Sequence, residues 1–473
     1  MSSSSSANSS SGTGKKSRFF FRPSLPGSIK KITRPKSSPF ARKKGEVPAE
    51  ANPPKKSGGG SMIKPIGIPE VDKGNQHKAP GATSAQGATS VLDMASSMGQ
   101  VRMSPQSSSK NRAAGEAPRK ATVHWSNKFL RVGVQDCGAP PRVKADLRGS
   151  VQGRKYEQVL IAANVDSNAL QQMAWNGIPD VARAVVWQLL LGYLPSNNAR
   201  REATLQRKRD EYRASVRQYW EIDDSRRTEY EQKLLRQIMV DIPRTHPDVP
   251  LFHTPAVQRG LERVLYIWSI KHPASGYVQG MNDLATPFYL VFLGAFVDNP
   301  RACDISRVPP GVLSAVEADT YWCLTKLLDG IQDHYTPSQP GIQRMIHRME
   351  ELVKRIDHDL FAHLEKENLI FMQFAFRWMN CLLMRELSLN STVRLWDTYL
   401  AESRNGFDDF HVYVCTSFLV SWSSALKKKP FQELITFLQS LPTQNWVDRD
   451  IEMLVSQAFV LQTQFQSSKA HLR

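Results

Sequence analysis

Residues 238–245 (IMVDIPRT) contain an arginine that is set to project from the surface of the protein. Pro243 restricts the residue before it and interrupts the helical periodicity, so Arg244 is expected at a helix end or in a loop. A guanidinium held there can bind anionic oxygens, because it stays charged and its planar fork can contact two oxygens. Considered alone, the segment more often forms an ordinary surface ion pair between Arg244 and Asp241, worth less than about 1 kcal/mol.

Residues 276–283 (GYVQGMND) place an amide side chain where a helix has no obvious use for it. Gln279 is flanked by Gly276 and Gly280, and glycine lets the backbone come close to a partner. A glutamine can both donate and accept hydrogen bonds. Considered alone, Gln279 is more often a loop residue that caps the following helix.

The elements that position these two segments are predicted to be helices. From about Tyr156 onward, apolar residues recur at helical spacing, as Val257, Leu261 and Leu265 do. The longest apolar run, residues 284–297, is shorter than the roughly 20 residues of a membrane span and is predicted to be a buried helix. Strand signals are few, so the sequence predicts an all-α fold.

The charge of the chain divides it into two parts. The 473 residues carry a formal charge of +18, yet residues 1–150 hold 26 Lys and Arg against 8 Asp and Glu, while residues 151–473 hold 36 of each. The first part also has four leucines and one of the ten tryptophans, too few large apolar side chains to offset the entropy of ordering a backbone. The sequence therefore predicts a disordered basic Ser/Pro/Gly-rich tail at 1–150 and a neutral all-helical domain at 151–473.

Several classes of protein are excluded because their short motifs are missing. The five cysteines form no C-x-x-C pair and the eleven histidines show no metal-ligand spacing, so neither a zinc module nor a disulfide framework is expected. The sequence contains no H-E-x-x-H, G-x-S-x-G, Walker or Rossmann motif, so no self-contained catalytic site is expected. Because no signal peptide is recognisable, a cytoplasmic location is expected.

The predicted tail carries short basic segments with several possible partners. Residues 15–22 (KKSRFFFR) mix cations with aromatic side chains, a composition that suits an anionic membrane surface or nucleic acid, although a solvated linker is the simpler interpretation. Residues 34–39 (RPKSSP) have the R-x-x-S-x-P form that resembles a 14-3-3 docking site once Ser37 is phosphorylated. Because the folded part is neutral, no nucleic-acid partner is expected.

Taken together, the two polar segments resemble the I-x-x-D-x-x-R and Y-x-Q motifs of the TBC domain, the domain of Rab GTPase-activating proteins. Further residues resemble other motifs of the family and follow in the family's order. They are Gly177 and Pro179 with Arg183 and Trp187, then residues 374–378 (FAFRW) and 385–387 (REL), and finally residues 394–397 (RLWD). The resemblance covers about residues 170–465, and strings such as HPASGYVQGMNDLATPF are most similar to the member 22 branch of the family.

The activity that this resemblance implies depends on two side chains. Arg244 corresponds to the family's arginine finger, which neutralises charge on the phosphates of GTP bound to a Rab protein. Gln279 corresponds to the glutamine finger, which orients the attacking water in place of the Rab's own glutamine. GTP and Mg²⁺ would then belong to the Rab, so the resemblance implies no cofactor or metal for this chain.

The resemblance also implies supporting roles for other residues. Asp241 is expected to orient Arg244 or to bond the backbone around it. Four residues are expected to shape the glutamine loop or to contact the Rab, namely Tyr277, Gly280, Asn282 and Asp283. A scaffold role, with an Arg–Asp pair among packed indoles, is assigned to Gly177, Pro179, Arg183, Trp187, Trp378, Arg394, Trp396 and Asp397. Arg183 is also a candidate to support the arginine finger.

Two interpretations of function stay open on the sequence. The first is a Rab GTPase-activating protein that regulates vesicle trafficking, and the second is a Rab-binding or adaptor scaffold without that activity, whose tail is bound by 14-3-3 or a membrane. The member 22 branch is similar to a yeast activator of Golgi Rabs. This implies peripheral recruitment to Golgi or vesicle membranes, with a Golgi adaptor as a further possible partner of the tail.

Overall fold

A computed structural model of the chain describes residues 130–131, 150–402 and 406–466. These residues form sixteen α-helices joined by short 3₁₀ and π turns, with one isolated bridge and no β-strand among them. The predicted all-α class is therefore confirmed for the part of the chain that the structure describes. Ser37 and the basic segments of the predicted tail lie outside the described residues.

The helices alternate with short connections along the chain. Their bounds are α1 Val151–Leu160, α2 Ser167–Trp175, α3 Asp180–Leu190, α4 Arg201–Ser215, α5 Glu229–Asp241, α6 Pro255–Lys271, α7 Met281–Gly294, α8 Pro310–Gly330, α9 Pro340–Ile356, α10 His358–Lys366, α11 Met372–Asn380, α12 Leu389–Ala401, α13 His411–Ser421, α14 Ser423–Leu426, α15 Phe431–Gln439 and α16 Asp448–Phe465. Two further turns matter for the site: the 3₁₀ turn Ile242–Arg244 after α5 and the π turn Val216–Trp220 after α4.

Helix α7 is buried on every side, and most of its residues are apolar. All residues from Met281 to Leu293 are shielded from solvent, as a helix without a polar face must be. The helix packs against α3, α6, α8 and α12. This confirms the buried helix predicted from the run 284–297, although the helix itself begins three residues earlier and ends at Gly294.

The other helices pack in two groups. Helix α6 packs against α5 and α8, and α4 packs against α8, whereas α9, α10, α11, α13 and α16 form a second group that α12 joins to α2. In the first group a buried ion pair between Arg209 and Asp319, 2.6 Å from Nη2 to Oδ2, holds α4 on α8. Both polar segments singled out in the sequence lie in the first group, at the end of α5 and between α6 and α7.

Leu130 lies within the predicted tail but is buried against the helical domain. Its side chain is 2% exposed, and its carbonyl oxygen accepts a hydrogen bond from Nη1 of Arg209 at 2.6 Å. The guanidinium of Arg131 lies 5.9 Å from the ring centre of Phe296. These two residues therefore pack with the folded part of the chain.

Within the described ranges, no helix combines the length and the apolar composition needed to cross a membrane. The same residues contain no group of three or more His, Cys, Asp or Glu side chains arranged to hold a metal ion.

Candidate functional site

Arg244 ends the 3₁₀ turn that continues α5. The turn forms because Pro243, at its second position, has no backbone N–H to continue the α-helical ladder. The side chain of Arg244 is exposed, and it makes no hydrogen bond or ion pair with any described residue. The predicted placement at a helix end is thus confirmed, and the surface ion pair with Asp241 that the sequence also allowed does not form.

Gln279 lies in the loop between α6 and α7, with its backbone held and its side chain exposed. Its carbonyl oxygen accepts a hydrogen bond from Nδ2 of Asn380 at 2.9 Å. The next residue, Gly280, has φ +107°, and a Cβ there would lie 2.5 Å from the same Nδ2, so only glycine fits. Gln279 does not cap α7, because the N-cap is Gly280, whose backbone N–H donates instead to Oδ1 of Asn282 at 3.1 Å.

The two exposed side chains share one cleft of about 370 Å³. The cleft is lined by Arg236, Gln237, Val240, Asp241, Arg244 and Gln279. Four of these residues lie on α5 and one on the turn that follows it, whereas Gln279 comes from the α6–α7 loop. The fold thereby places a guanidinium and an amide, 35 positions apart in sequence, in the same opening.

A buried hydrogen-bond network joins the two segments beneath the cleft. The hydroxyl of Tyr277 lies 2.9 Å from Oδ2 of Asp241 and 3.1 Å from Oδ1 of Asn282. Nδ2 of Asn282 donates to Oγ1 of Thr245 at 2.9 Å, and the Thr245 hydroxyl donates to the carbonyl of Asp241 at 3.1 Å. The ring of contacts ties the residue after Arg244 to the loop that carries Gln279, which fixes the spacing of the two backbones.

Electrostatics keep Tyr277 as a hydrogen-bond donor. Burial, together with the neighbouring Asp241 carboxylate, raises the pKa of Tyr277. Burial also raises the pKa of Asp241, against the opposing effects of the Tyr277 hydrogen bond and the charges of Arg244 and Arg385. Asp283 behaves in the same way, since burial raises its pKa although Nε of Arg385 donates to its Oδ2 at 2.8 Å. Arg385 thus supplies a positive charge beneath the cleft.

The residues expected to shape the loop or to contact a Rab are buried. Tyr277 is 6% exposed, and Asn282 and Asp283 are each 1% exposed, so in this structure they shape the loop and cannot reach a partner protein. Gly280 is buried as well. The carboxylate of Asp241 accepts its hydrogen bond from Tyr277 and bonds neither the Arg244 guanidinium nor the described backbone around it, while the Asp241 carbonyl accepts from Thr245. Of the two expected roles, the burial of these residues favours shaping the loop.

A second cluster lies around Asp397, which is fully buried. Its carboxylate accepts hydrogen bonds from Nε of Arg183 at 3.1 Å, from Nε1 of Trp187 at 2.7 Å and from the backbone N–H of Ile178 at 3.0 Å. Arg183 also bonds Asp180 on its exposed side. All of the described partners of Arg183 lie in this cluster, which favours the scaffold role over support of Arg244.

The remaining motif residues pack around the same cluster. Gly177 has φ +99°, and a Cβ there would lie 3.0 Å from Nε of Arg394. Arg394 itself donates from Nη1 to Oγ1 of Thr398 at 3.0 Å. Pro179 is the N-cap of α3, and the indoles of Trp187 and Trp396 lie 6.1 Å apart between ring centres. Trp378 is fully buried elsewhere in the core, against Phe374 and Phe418.

Sequence reasoning missed three residues that hold the cleft in place. They are Thr245, which closes the network, Asn380, which holds the glutamine loop, and Arg385, which pairs with Asp283. Arg385 and its neighbours were noted only as part of a family motif. The one available signal was a polar residue in an otherwise apolar stretch, as at Asn380 in residues 378–384, and such a signal does not reveal a partner 101 positions away.

Comparison with known proteins agrees with this geometry. The family model for the Rab-GTPase-TBC domain matches residues 180–427. The GTPase-activating protein gyp1 of Schizosaccharomyces pombe is 50% identical over 322 residues, which cover 68% of this chain and 62% of that protein. TBC1 domain family member 22B of Homo sapiens is 47% identical over 338 residues, which cover 71% of this chain and 66% of that protein.

A solved structure has a fold similar to that of this chain. The crystal structure of the Ypt/Rab-GAP domain of Gyp1p superposes with a TM-score of 0.64 at 46% identity, covering 68% of this chain and all of that domain. The chain spans about two thirds or less of the length of the relatives named above. The resemblance drawn from the sequence motifs is confirmed, and the chain belongs to the Rab-GTPase-TBC domain family.

Proposed function

We propose that this chain accelerates GTP hydrolysis by a Rab-family GTPase, into whose nucleotide site it inserts Arg244 and Gln279. One observation carries the proposal. Both side chains are exposed in one cleft without a partner among the described residues, while their backbones are tied together from below. The arrangement is pre-organised for a ligand that the chain itself does not supply. The S. pombe relative is named a GTPase-activating protein and the Gyp1p structure a Ypt/Rab-GAP domain, which supports the same activity.

In this proposal Arg244 acts on the charge that develops during hydrolysis. GTPases of this kind are slow because little neutralises the negative charge on the transferring phosphoryl group. A guanidinium supplied by an activator stabilises that charge and raises the rate by roughly 10³–10⁵-fold, or about 4–7 kcal/mol of barrier. The lack of an internal ion pair suits Arg244 to this role, since no existing contact has to break when the GTPase binds.

Gln279 acts on the attacking water in this proposal. An amide accepts a hydrogen bond from water through its oxygen and donates one to a phosphate oxygen through its nitrogen. Because Asn380 holds the carbonyl of Gln279 at 2.9 Å, the backbone stays in place and only the side chain needs to settle on the GTPase. The nucleotide and its Mg²⁺ belong to the GTPase, and this chain contributes side chains to another protein's reaction.

Apolar side chains beside the cleft suit the docking of a GTPase. Val240 lines the cleft, and it and the adjacent Met239 on α5 are each about half exposed. An exposed apolar patch rimmed by polar groups is typical of a protein-binding surface. We assign this face of α5 to the GTP-bound Rab. A role in vesicle trafficking, with recruitment to Golgi or vesicle membranes through the tail, extends the same proposal.

The test is single-turnover GTP hydrolysis by a panel of purified Rab proteins, with and without the full chain. We expect a subset of the panel to be accelerated, and that subset identifies the substrate. Equilibrium binding to the same GTP-loaded Rabs is measured in parallel. Binding without acceleration of any Rab would contradict the proposal and favour the scaffold interpretation.

A further inference from the structure

A second cleft, of about 500 Å³, opens between α4, α6 and α8 and shares no lining residue with the cleft of Arg244 and Gln279. Its volume falls in the range of roughly 300–1,000 Å³ that is usual for small-molecule pockets. The ionisable side chains that line it, apart from a tyrosine, are four arginines and two glutamates: Arg213, Arg217, Arg259, Arg263, Glu221 and Glu317. What the cleft can bind depends on how these charges are paired.

Glu317 at the base of the cleft is buried and fully engaged. Its carboxylate accepts hydrogen bonds from Nε and Nη2 of Arg263, at 2.7 and 2.6 Å, and from the hydroxyl of Tyr212 at 2.7 Å. A Cβ at Gly260 would lie 3.2 Å from Oε2, so the glycine leaves room for this close packing. The acid is thereby neutralised, and the guanidinium of Arg263 is fixed with Nη1 uncommitted among the described residues.

Two arginines on the walls of the cleft are exposed and unpaired. Arg217, on the π turn, and Arg259, on α6, form no ion pair or hydrogen bond within the described part of the chain. Each lies near a carboxylate, Asp210 and Glu262 respectively, without bonding to it. Asp210 is already bonded to Arg213, at 2.5 Å, so the carboxylates left to offset these two charges are Glu262, near Arg259, and Glu221, which lines the cleft.

The N-terminal ends of α6 and α8 add partial positive charge to the cleft. Ala256 in the first turn of α6 and Pro310 at the start of α8 both line the cleft. Neither helix has a side-chain hydrogen bond at its N-cap. The backbone N–H groups of a first turn carry partial positive charge, which favours anions nearby. Their effect adds to that of the arginines, which come from three separate elements.

We propose that this cleft binds an anion carrying several phosphate groups, with the chemistry of a phosphorylated inositol, either free or as a lipid headgroup. Guanidinium groups bind phosphate oxygens in pairs, and such charge-assisted bonds are stronger than neutral ones. Arginines from three separate elements, together with a volume suited to a ring-sized ligand, fit several phosphates on one compact scaffold better than a single phosphate on an extended peptide. The site is additional to the proposed GTPase-activating cleft and does not depend on it.

The test is binding of inositol hexakisphosphate to the full chain by titration calorimetry. Arg217→Ala combined with Arg259→Ala is compared with Arg226→Ala combined with Arg449→Ala, which removes the same charge from exposed positions outside both clefts. This control is needed because the basic residues at 1–150 attract anions without specificity. We expect the cleft variant to bind at least about tenfold more weakly than the control variant.

Two further arms identify the source of the phosphates. Flotation with phosphatidylcholine vesicles, with and without phosphatidylinositol bisphosphate, tests the lipid headgroup, and a peptide with one phosphoserine tests a protein ligand. If the cleft variant loses binding only to the soluble inositol phosphate, the ligand is a free inositol phosphate. If it loses binding to both the soluble probe and the vesicles, the ligand is the lipid headgroup. The acceleration of GTP hydrolysis by a responsive Rab is measured with both variants and is expected to be unchanged. Failure of the anion-binding proposal is therefore distinguishable from failure of the proposed function.

The proposal is overturned if the cleft and control variants bind inositol hexakisphosphate equally, because the affinity then comes from general charge. It is also overturned if neither the soluble nor the lipid probe binds the wild-type chain. A phosphoserine peptide that binds as tightly as inositol hexakisphosphate, and weakens in the same variant, would overturn the assigned ligand class.

Discussion

Two family motifs each supply an arginine, and the structure gives the two arginines opposite surroundings. Arg183 is mostly buried and bonded to Asp397. The carboxylate of Asp397 also accepts hydrogen bonds from the indole N–H of Trp187 and the backbone N–H of Ile178. Arg244 is exposed, and no described residue pairs with it. A buried arginine without a carboxylate would destabilise the fold, whereas an exposed one can keep its hydrogen-bonding capacity for another molecule. Under the proposed function, the presence or absence of a bonded carboxylate distinguishes the structural Arg183 from the catalytic Arg244.

Both regions nevertheless depend on buried polar contacts. Around Asp397 the contacts end within the cluster, so their effect is on folding. Beneath the cleft, the contacts of Tyr277 and Asn282 lead to two exposed side chains, so their effect is on the placement of Arg244 and Gln279. Substitutions in the two regions should therefore separate catalysis from stability.

The largest expected effect is on the rate of GTP hydrolysis. Arg244→Ala should lower the accelerated rate by about 10³–10⁵-fold at saturating GTPase, because the charge on the phosphates is no longer neutralised. The free energy of unfolding should not change, since Arg244 makes no internal contact. Arg236→Ala, which removes the same charge from the same cleft, is the control, and it should alter binding without a comparable loss of the saturated rate.

Arg183→Ala should act on stability instead. Removing it leaves the buried Asp397 carboxylate without its counter-charge, which is expected to lower the free energy of unfolding by about 3–5 kcal/mol. Urea denaturation measures this change. Asp180→Ala removes the other, exposed partner of the same arginine and should change stability by less than about 1 kcal/mol. Equal losses in the two variants would refute the structural role of the Asp397 pair.

Gln279→Ala should reduce the accelerated rate by about 10²–10³-fold, the usual loss for one pre-organised hydrogen-bonding group. The backbone contact with Asn380 remains, so stability should be close to that of the wild type. Gln237→Ala removes an amide from the same cleft and serves as the matched control in the single-turnover assay. If both variants lose activity equally, the amide of Gln279 has no special position.

Tyr277→Phe tests whether the two segments are coupled. It leaves Asp241 buried without its hydroxyl donor, which should lower the free energy of unfolding by about 1–3 kcal/mol and slow hydrolysis although both fingers are present. Tyr289→Phe, at another buried tyrosine, controls for loss of a hydroxyl from the core. A rate equal to wild type in Tyr277→Phe would show that the network does not position the fingers.

The smallest effect is a pH dependence. Because burial raises the pKa of Asp241, the folded state holds its proton more tightly than the unfolded chain does. The wild type therefore loses stability as pH rises from the unfolded pKa, about 3.9, through the folded one. Asp241→Asn cannot ionise, so its stability relative to wild type should increase with pH across that window. Urea denaturation at a series of pH values tests this, and a difference that falls with pH would contradict it.

The sequence predicted the helices and the position of Arg244 at a helix end because both signals are local. Helical spacing around Val257 and the apolar run before Val297 arise from neighbouring residues, and each finger motif spans fewer than ten positions. Proline at position 243 also sufficed to place Arg244 at a helix end. Such features depend on backbone preferences that act over one or two turns.

The surroundings of the fingers could not be predicted in the same way. Whether Tyr277 faces a partner or the core depends on Asp241 and Asn282, which reach it only after α5, α6 and α7 have packed. The support from Asn380 depends on a contact across 101 positions. Long-range contacts of this kind leave no periodic signal in a single sequence.

Under the proposed function, Arg244 serves catalysis and Arg183 serves stability. The most direct test measures single-turnover GTP hydrolysis on one responsive Rab, and urea unfolding, for Arg244→Ala and Arg183→Ala side by side. We predict that Arg244→Ala loses the acceleration and unfolds like the wild type, whereas Arg183→Ala unfolds at lower urea and still accelerates hydrolysis under conditions where it is folded. Wild-type acceleration by Arg244→Ala, or loss of acceleration by a stably folded Arg183→Ala, would contradict the account.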